Sequence, residues 1–206
     1  MLHYEVVDTS TLDLLKKLLS VPQFEPLRLV GGTSLALQYG HRKSIDLDLF
    51  GDLNLDDFTI VRTVQSMGRT ILLQNHPAIK SFTVDSIKVD IVKYPYPWLD
   101  EVTLEDGIRL ASVRDIAAMK LAAITGRGTK KDFIDLYFLL KRFSLNEMLL
   151  WYTQKFPNAT TFMVLKSLTY FDDADLDPEP VRLVSFEWPE VKRAITKALS
   201  EYMASF

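Results

Sequence analysis

The sequence predicts an α+β protein in which a mixed β-sheet domain, residues 1–110, precedes a helical domain, residues 111–206. Up to residue 110, short segments of alternating apolar and polar residues lie between segments with apolar residues at helical spacing. From Ser112 onward only the helical spacing recurs. Pro95 and Pro97, which interrupt both kinds of element, precede this change. The two halves should therefore differ in architecture.

The N-terminal half is predicted to contain three helices and five short strands. Leucines at helical spacing after Ser and Thr caps indicate the first helix, which Pro22 and Pro26 end. Alternation on either side of Asp85-Ser86 predicts a tight hairpin. In chain order the predicted elements are helix 9–19, strand 27–30, helix 33–39, strand 44–50, helix 56–67, strand 70–74 and the two hairpin strands.

The C-terminal half is predicted to be helical. Gly126 and Gly128 separate two segments with helical spacing, one around Ile116 and Ile124 and the other around Phe133 and Leu140. Further helices are predicted over residues 145–156, 160–168 and 191–203. The acidic stretch FDDADLDPEP, residues 171–180, is predicted to be a solvated loop.

The composition excludes several classes of protein. Hydrophobic residues make up 48% of the chain and charged residues 25%, which excludes an intrinsically disordered protein. The chain has no cysteine, so disulfides and thiolate metal sites are excluded. The start, MLHYEVVDTS, lacks the features of a secretory signal, and no stretch reaches the roughly 18 apolar residues of a membrane span. We therefore expect a cytoplasmic protein whose metal ligands are oxygen or histidine.

The net charge of −3 argues against a general nucleic-acid coat. Between Arg109 and Arg142, however, eight lysines and arginines stand against three acids. This basic segment is compatible with contacts to an RNA backbone.

Gly31-Gly32-Thr33 lies where a predicted strand meets a predicted helix. Glycines permit close backbone approach, and the first N–H groups of a helix lack intrahelical partners, so both features suit an anion. The Thr33 hydroxyl adds a donor. These residues are candidate ligands of a triphosphate, although a tight structural connection is the alternative.

Asp46 and Asp48 form half of a candidate metal site. They alternate in the segment IDLDL, so both carboxylates share one face, while Ile45, Leu47 and Leu49 are predicted to face the core. Two such carboxylates suit a hard divalent cation, Mg²⁺ or Mn²⁺. A solvated strand face is the alternative.

Asp90 supplies a third carboxylate in the segment KVDIV. If its strand lies beside that of Asp46 and Asp48, it serves as a general base or a shared metal ligand. An ion pair with Lys88 or Lys93 is the alternative. A phosphate site and a divalent cation are together what phosphoryl transfer needs, so we expect a metal-dependent nucleotidyltransferase.

The segment GGTSLALQYGHRKSIDLDLF, residues 31–50, resembles the signature of the AbiEii/AbiGii family of nucleotidyltransferase toxins, within the DNA polymerase beta-like superfamily. KVDIV resembles the family's third-aspartate strand, and SVRDIAAMKLAAITGRGTKKDFIDLYFLL resembles its helical segment. The resemblance covers roughly residues 28–142. It implies a nucleotidyltransferase fold with an NTP as substrate.

The resemblance also implies functional residues. They are Gly32 and Thr33 for the triphosphate, Asp46 and Asp48 for the metal, Asp90 as third carboxylate, and Ser44, which matches the serine before the D-x-D motif.

Lys120 and Asp135 match the family's essential pair on consecutive helices. Lys120 would grip a phosphate, and Asp135 would orient Lys120 or an acceptor group. An ordinary ion pair between helices is the alternative. Arg42, with its neighbours His41 and Lys43, is a candidate contact for phosphates or RNA, and a solvated loop is an equal alternative.

By the same resemblance, the acceptor is the 3′ end of a tRNA, and the chain is the toxin of a bacterial toxin–antitoxin pair with a cognate antitoxin. An aminoglycoside-like small molecule or a protein side chain are alternative acceptors. A catalytically silent nucleotide-binding or antitoxin-interaction module is an alternative of another class. The clustered carboxylates argue against it, because a pure binder has little need for three of them.

Overall fold

The structure, a computed structural model, describes residues 1–205 and divides into two compact units. The first unit contains Met1–Pro95 and Glu101–Ala111. The second contains Tyr96–Asp100 and the residues from Ser112 onward. The sequence pattern did not predict that the short segment 96–100 belongs with the C-terminal helices.

The first unit carries one mixed β-sheet and three helices, which confirms the predicted α+β class. The helices are α1 (Thr9–Ser20), α2 (Gly31–Tyr39) and α3 (Asp57–Gln65). The strands are β1 (Arg28–Leu29), β2 (Leu47–Gly51), β3 (Thr70–His76), β4 (Ile79–Val84), β5 (Ile87–Lys93), β6 (Thr103–Glu105) and β7 (Ile108–Leu110).

The sheet has the strand order β3-β4-β5-β2-β1-β7-β6. The pairs β2/β5 and β1/β7 are parallel, and the other four pairs are antiparallel. The central position of β2 and β5 means that each is hydrogen-bonded on both sides. The backbone positions from which these side chains project are consequently fixed by hydrogen bonds of the sheet.

The predicted hairpin at Asp85-Ser86 is confirmed as β4 and β5. Both turn residues have positive φ, 48° and 71°, as a two-residue hairpin turn of this hand requires. A second hairpin, β6–β7, was not predicted. Its Asp106-Gly107 turn also has positive φ at both residues and is a known hairpin signal.

One face of the central strands is core, as predicted for Leu47 and Leu49, which are fully buried. The prediction for Ile45 was wrong, because this side chain is 52% exposed. Strand β2 begins only at Leu47, so Ile45 precedes the region where alternation decides which face a side chain takes.

The second unit is helical in the part that the structure describes. Its helices are α4 (Val113–Gly126), α5 (Lys130–Leu140), α6 (Leu145–Lys155), α7 (Thr161–Ser167), α8 (Asp172–Leu176) and α9 (Trp188–Met203). Four begin near predicted helices with Ser or Thr immediately before them; α9 begins with Pro189 in its first turn.

The prediction of a solvated acidic loop over residues 171–180 was correct about solvation, since Asp172, Asp173, Asp175 and Glu179 are exposed, and wrong about the loop. Part of the stretch forms α8, and Asp175 accepts hydrogen bonds from the Trp188 indole and the Lys192 ammonium. Asp177 accepts a hydrogen bond of 2.9 Å from the backbone N–H of Lys130, at the start of α5. The acidic side chains therefore stabilise the helical unit.

A buried ion pair holds the segment 96–100 in the second unit. Lys155 Nζ lies 2.7 Å from Asp115 Oδ1, and both side chains are fully buried. Lys155 also donates to the Pro97 carbonyl at 2.9 Å, and the Leu99 N–H donates to Asp115 at 2.9 Å. Because unpaired charges are costly inside a protein, these contacts hold the segment against α4 and α6.

Among residues 1–205, none of the helices combines the length and the apolar character that crossing a bilayer requires.

Candidate active site

Asp48 and Asp90 lie directly opposite each other on neighbouring strands. In the parallel pair β2/β5, Asp48 is in register with Asp90. Residues in register on adjacent strands share one face of the sheet, at a strand spacing of about 4.8 Å. The condition that the sequence left open, a strand of Asp90 beside the strand of Asp48, is therefore met.

A third strand extends this polar row. Ser81 of β4 is in register with Asp90 and is buried, at 7% exposure. The row Asp48, Asp90 and Ser81 crosses three strands on the face opposite to the core residues Leu47 and Val89. Ser81 was not predicted as a site residue, although the predicted two-residue turn at Asp85-Ser86 fixes the register that places Ser81 opposite Asp90.

Gly31, in the glycine turn, lies directly beside the carboxylate of Asp48. Its φ is +69°, and a Cβ at this position would lie 2.3 Å from Asp48 Oδ2. Real Cβ atoms do not approach an oxygen this closely, so any side chain would displace Asp48. Glycine is thus required here twice, by its backbone conformation and by the carboxylate beside it.

Helix α2 begins at Gly31, two residues earlier than predicted, and includes Gly32 and Thr33 in its first turn. The Val30 N-cap provides no side-chain cap, and the first N–H groups of a helix have no intrahelical acceptor. The turn next to Asp48 is thus suited to bind an anion.

The Thr33 hydroxyl is buried and bonded within the protein. It donates to the backbone carbonyl of Asp46 and lies 2.8 Å from Ser44 Oγ. These bonds tie the start of α2 to the residues that lead into β2. Thr33 and Ser44 therefore support the position of Asp46, and direct contacts of either residue with a triphosphate stay predictions.

Lys88 is a charged neighbour of the carboxylates that sequence analysis considered only as an alternative partner of Asp90. Its Nζ donates to Asp90 Oδ2 at 2.9 Å. The hydrogen bond to Asp90 and the negative charges of Asp90, Asp48 and Asp46 raise the pKa of the Lys88 ammonium. All three aspartates therefore interact electrostatically with one lysine.

The residues present fit a divalent cation that also needs ligands from its substrate. No three Asp, Glu or His side chains within residues 1–205 converge closely enough to hold a metal by themselves. Asp90 Oδ1, however, is buried without a hydrogen-bond partner, beside the facing carboxylate of Asp48. Mg²⁺ typically takes one or two carboxylates and completes its shell with water and phosphate oxygens.

Arg42 is a buried residue, at 2% exposure, and not part of a solvated loop. Its Nη1 donates to the Lys43 carbonyl at 3.0 Å. This position gives it a structural contact inside the first unit. Its predicted contact with a nucleotide stays a prediction that the burial of the side chain does not favour.

Lys120 and Asp135 form a buried ion pair in the second unit. The distance from Lys120 Nζ to Asp135 Oδ2 is 2.6 Å, and a second carboxylate, Asp132, lies 2.9 Å from the same ammonium. Asp132 also binds Arg127 and completes a capping box with Thr129 at the start of α5. Asp132 was missed, although its spacing of three from Asp135 puts both on one helix face.

Charge compensation around Asp132 is reflected in its pKa. Burial raises the pKa, but the positive charges of Lys120 and Arg127 and hydrogen bonds from Lys120 and Thr129 outweigh burial, so the net pKa is lowered. The Asp132 carboxylate is therefore charged at neutral pH.

The basic segment 109–142 is less available to a partner than its sequence suggests. Five of its eight cations bind acceptors within their own unit: Arg109 binds the carbonyls of Phe24 and Leu27, Arg114 binds Asp100, Lys120 and Arg127 bind Asp132, and Lys130 binds Asp177 and Glu179. Arg127, Lys131, Lys141 and Arg142 are exposed residues, and Lys141 Nζ lies 4.2 Å from the centre of the Tyr137 ring.

Comparisons with known proteins agree with this fold. A family model described as the nucleotidyl transferase AbiEii toxin of a type IV toxin–antitoxin system matches residues 13–206. A protein of Aquifex aeolicus strain VF5, named uncharacterized protein aq_aa25, is 34% identical over 201 residues, which cover 92% of this chain and 94% of that protein.

Two solved structures share the fold. The crystal structure of JHP933 from Helicobacter pylori has a TM-score of 0.56 at 19% identity and covers 97% of this chain and 96% of its own. MenT4, the nucleotidyltransferase toxin Rv2826c from Mycobacterium tuberculosis H37Rv, has a TM-score of 0.51 at 16% identity. The match covers 93% of this chain and 82% of the MenT4 chain. With the family match, these confirm the predicted fold and resemblance. The chain therefore belongs to the AbiEii family of nucleotidyltransferase toxins of type IV toxin–antitoxin systems and is itself a nucleotidyltransferase.

Proposed function

We propose that this nucleotidyltransferase moves a nucleoside monophosphate from an NTP to an acceptor hydroxyl with the help of Mg²⁺ or Mn²⁺. The observation that carries the proposal is the pairing of Asp48 with Asp90 on adjacent central strands, directly against the Gly31 turn. Carboxylates for a cation and N–H groups for phosphates lie together there, which is the combination that phosphoryl transfer requires.

Each residue has a proposed part in the reaction. The N–H groups at Gly31 and Gly32 bind the triphosphate, while Asp48, with Asp46 and Asp90, holds the cation. A bound divalent cation would neutralise the charge that develops as the bond to pyrophosphate breaks. Asp90 Oδ1, which is buried and accepts no hydrogen bond, is the atom that takes the proton of the acceptor hydroxyl or shares the cation.

Lys120 and Asp135 are the proposed supporting pair. Asp132 and Asp135 hold the Lys120 side chain in one orientation. An ammonium held in this way can act as a point charge on a phosphate. Asp135, which is itself fully buried, would then orient Lys120 without touching the substrate.

The acceptor that we propose is the 3′ end of a tRNA, which implies a reaction in the cytoplasm. Membership of a toxin–antitoxin family supports this setting, with a cognate antitoxin as the second protein partner. Lys131, Lys141 and Arg142 are exposed cations of the basic segment that can contact an RNA backbone.

A transfer assay tests the proposal. The protein is incubated with each of the four α-³²P-labelled NTPs and total bacterial RNA, with Mg²⁺, with Mn²⁺, or with EDTA. We expect label in the tRNA fraction with one or two of the NTPs and none with EDTA. Label that survives EDTA would reject the metal, and parallel reactions with aminoglycosides or total protein detect a different acceptor.

A further inference from the structure

The Lys88 ammonium contacts one of the three aspartates and interacts electrostatically with the other two. Lys88 Nζ donates to Asp90 Oδ2 at 2.9 Å and interacts electrostatically with Asp48 and Asp46. The Lys88 side chain remains 47% exposed, whereas that of Asp90 is only 17% exposed. A partly solvated cation thus contacts a carboxylate that is mostly withdrawn from water.

The position of Lys88 follows from the fold. Lys88 and Asp90 are two residues apart on β5, so they lie on one face of the sheet, and Asp90 faces Asp48 across the β2/β5 pair. The opposite face is buried core around Val89 and Ile91, so the lysine cannot turn away from the acidic side. Three carboxylates on that side repel one another unless a positive charge lies among them.

We propose that Lys88 is an internal counter-ion of the carboxylate site, which disfavours binding of a free divalent cation and favours binding of the cation together with its triphosphate. This inference rests on the proposed function. It assigns Lys88 a positioning and selecting role and not a catalytic one, because its ammonium contacts Asp90 and not a reacting atom.

The selection has an electrostatic basis. A free Mg²⁺ or Mn²⁺ that approaches Asp48 and Asp90 is repelled by the Lys88 ammonium and competes with it for Asp90. A metal–triphosphate complex carries net negative charge, so the same ammonium attracts it. Lys88 therefore lowers the affinity of the site for the metal alone and raises its affinity for the metal bound to the nucleotide.

Direct binding of Mn²⁺ tests the inference without turnover. Mn²⁺ binding is measured by electron paramagnetic resonance, first with MnCl₂ alone and then with α,β-nonhydrolysable analogues of the four NTPs. The variants are Lys88→Met and, as a matched control, Lys93→Met, which removes an exposed lysine from the same strand. Asp48→Asn serves as a variant of the metal site itself.

We expect Lys88→Met to bind Mn²⁺ alone about tenfold more tightly than the unmodified protein and to bind the Mn²⁺–analogue complex several-fold more weakly. Lys93→Met should change neither value. If Lys88 had only a structural role, its removal would not strengthen Mn²⁺ binding. Tighter binding of Mn²⁺ alone together with weaker binding of the Mn²⁺–analogue complex therefore identifies Lys88 as a counter-ion. The inference is overturned if Lys88→Met leaves Mn²⁺ affinity unchanged or weakens it.

The outcomes separate this inference from the function on which it rests. If the unmodified protein binds the Mn²⁺–analogue complex and Asp48→Asn does not, the metal site stands, and the Lys88 comparison alone decides the inference. If the unmodified protein and Asp48→Asn bind neither Mn²⁺ nor the complex, the metal-dependent function fails, and the inference fails with it.

Discussion

Gly31 links a backbone conformation to the chemistry of the site. Its φ of +69° is costly for residues with a side chain, and the space that a Cβ would occupy belongs to the carboxylate of Asp48. A substitution here therefore has two separable consequences, one for the stability of the fold and one for the position of a proposed metal ligand.

Gly31→Ala should destabilise the protein and abolish nucleotide transfer. Gly107→Ala is the matched control, since Gly107 has φ +77° but a methyl group there would meet no atom within 4 Å. The control should lose only the stability that the unfavourable backbone conformation costs, about 1–2 kcal/mol in the free energy of unfolding. Urea denaturation measures the loss of stability, and the transfer assay measures the loss of turnover. If Gly31→Ala and Gly107→Ala lose the same stability and the same turnover, the Asp48 carboxylate moves aside without consequence.

Asp48→Asn should reduce the turnover of nucleotide transfer by at least about 100-fold, because it removes a charge that the proposed cation needs. The free energy of unfolding should change little, since the substitution relieves repulsion with Asp90 across the strand pair. Asp52→Asn, at an exposed aspartate just after β2, is the control and should retain turnover. Full activity of Asp48→Asn would remove Asp48 from the site.

At the scale of elements, the pair α4 and α5 is joined by charges as well as by apolar packing. Lys120 on α4 meets Asp132 and Asp135 on α5, and all three side chains are buried. A second buried ion pair, Lys155 with Asp115, joins α6 to α4. Only the first of these pairs has a proposed role in the reaction, so the second is a natural control for it.

Lys120→Met should lower the free energy of unfolding by about 3–5 kcal/mol, because it leaves buried carboxylates without their cation. Lys155→Met should lower it by a similar amount for the same reason. At a temperature where both variants are folded, only Lys120→Met should raise the KM for the NTP, by about tenfold. Equal KM values in the two variants would show that Lys120 has a structural role and does not contact the NTP.

The lowered pKa of Asp132 makes the helical unit sensitive to acid. A carboxylate with a folded pKa below its unfolded value, 3.8, contributes its full stability above that value and loses it as the pH falls through the folded pKa. The melting temperature should therefore fall steeply below about pH 4. Asp132→Asn should melt lower at neutral pH but show a flatter pH dependence in acid, as calorimetry from about pH 3 to neutrality can measure.

Across the whole molecule, most cations of the basic segment bind acceptors on the chain itself. The chain carries a net charge of −3, and the structure binds five of the eight cations in the basic segment to internal acceptors. Contacts with RNA through this segment are therefore expected from Lys131, Lys141 and Arg142, which are exposed.

The affinity for tRNA should consequently depend only weakly on salt. Three phosphate contacts correspond to a slope of roughly −2 in a plot of log affinity against log salt concentration. Lys131→Gln combined with Lys141→Gln should bring this slope close to about −0.7. Fluorescence anisotropy with labelled tRNA measures it, and a slope several times steeper would mean that RNA binds through another surface.

Features that depend on a local pattern could be predicted from the sequence alone. The 3.6-residue spacing and Ser or Thr caps predicted most helices, Asp85-Ser86 predicted the β4–β5 hairpin, and the motif GGT with D-x-D predicted the family. Each of these signals lies within a short stretch of chain, so no knowledge of distant contacts was needed.

Contacts between distant segments of the chain could not be predicted and are known from the folded structure. The register that pairs Asp48 with Asp90, the approach of Asp48 to Gly31, and the contacts of Arg109 with Phe24 and of Lys130 with Asp177 all join segments far apart in the chain. Strand register depends on how the buried faces of the whole sheet pack together. The side chains of Arg42, Lys120 and Lys130 are buried because of how distant segments pack around them. These are non-local effects, and a periodic pattern in the sequence carries no information about them.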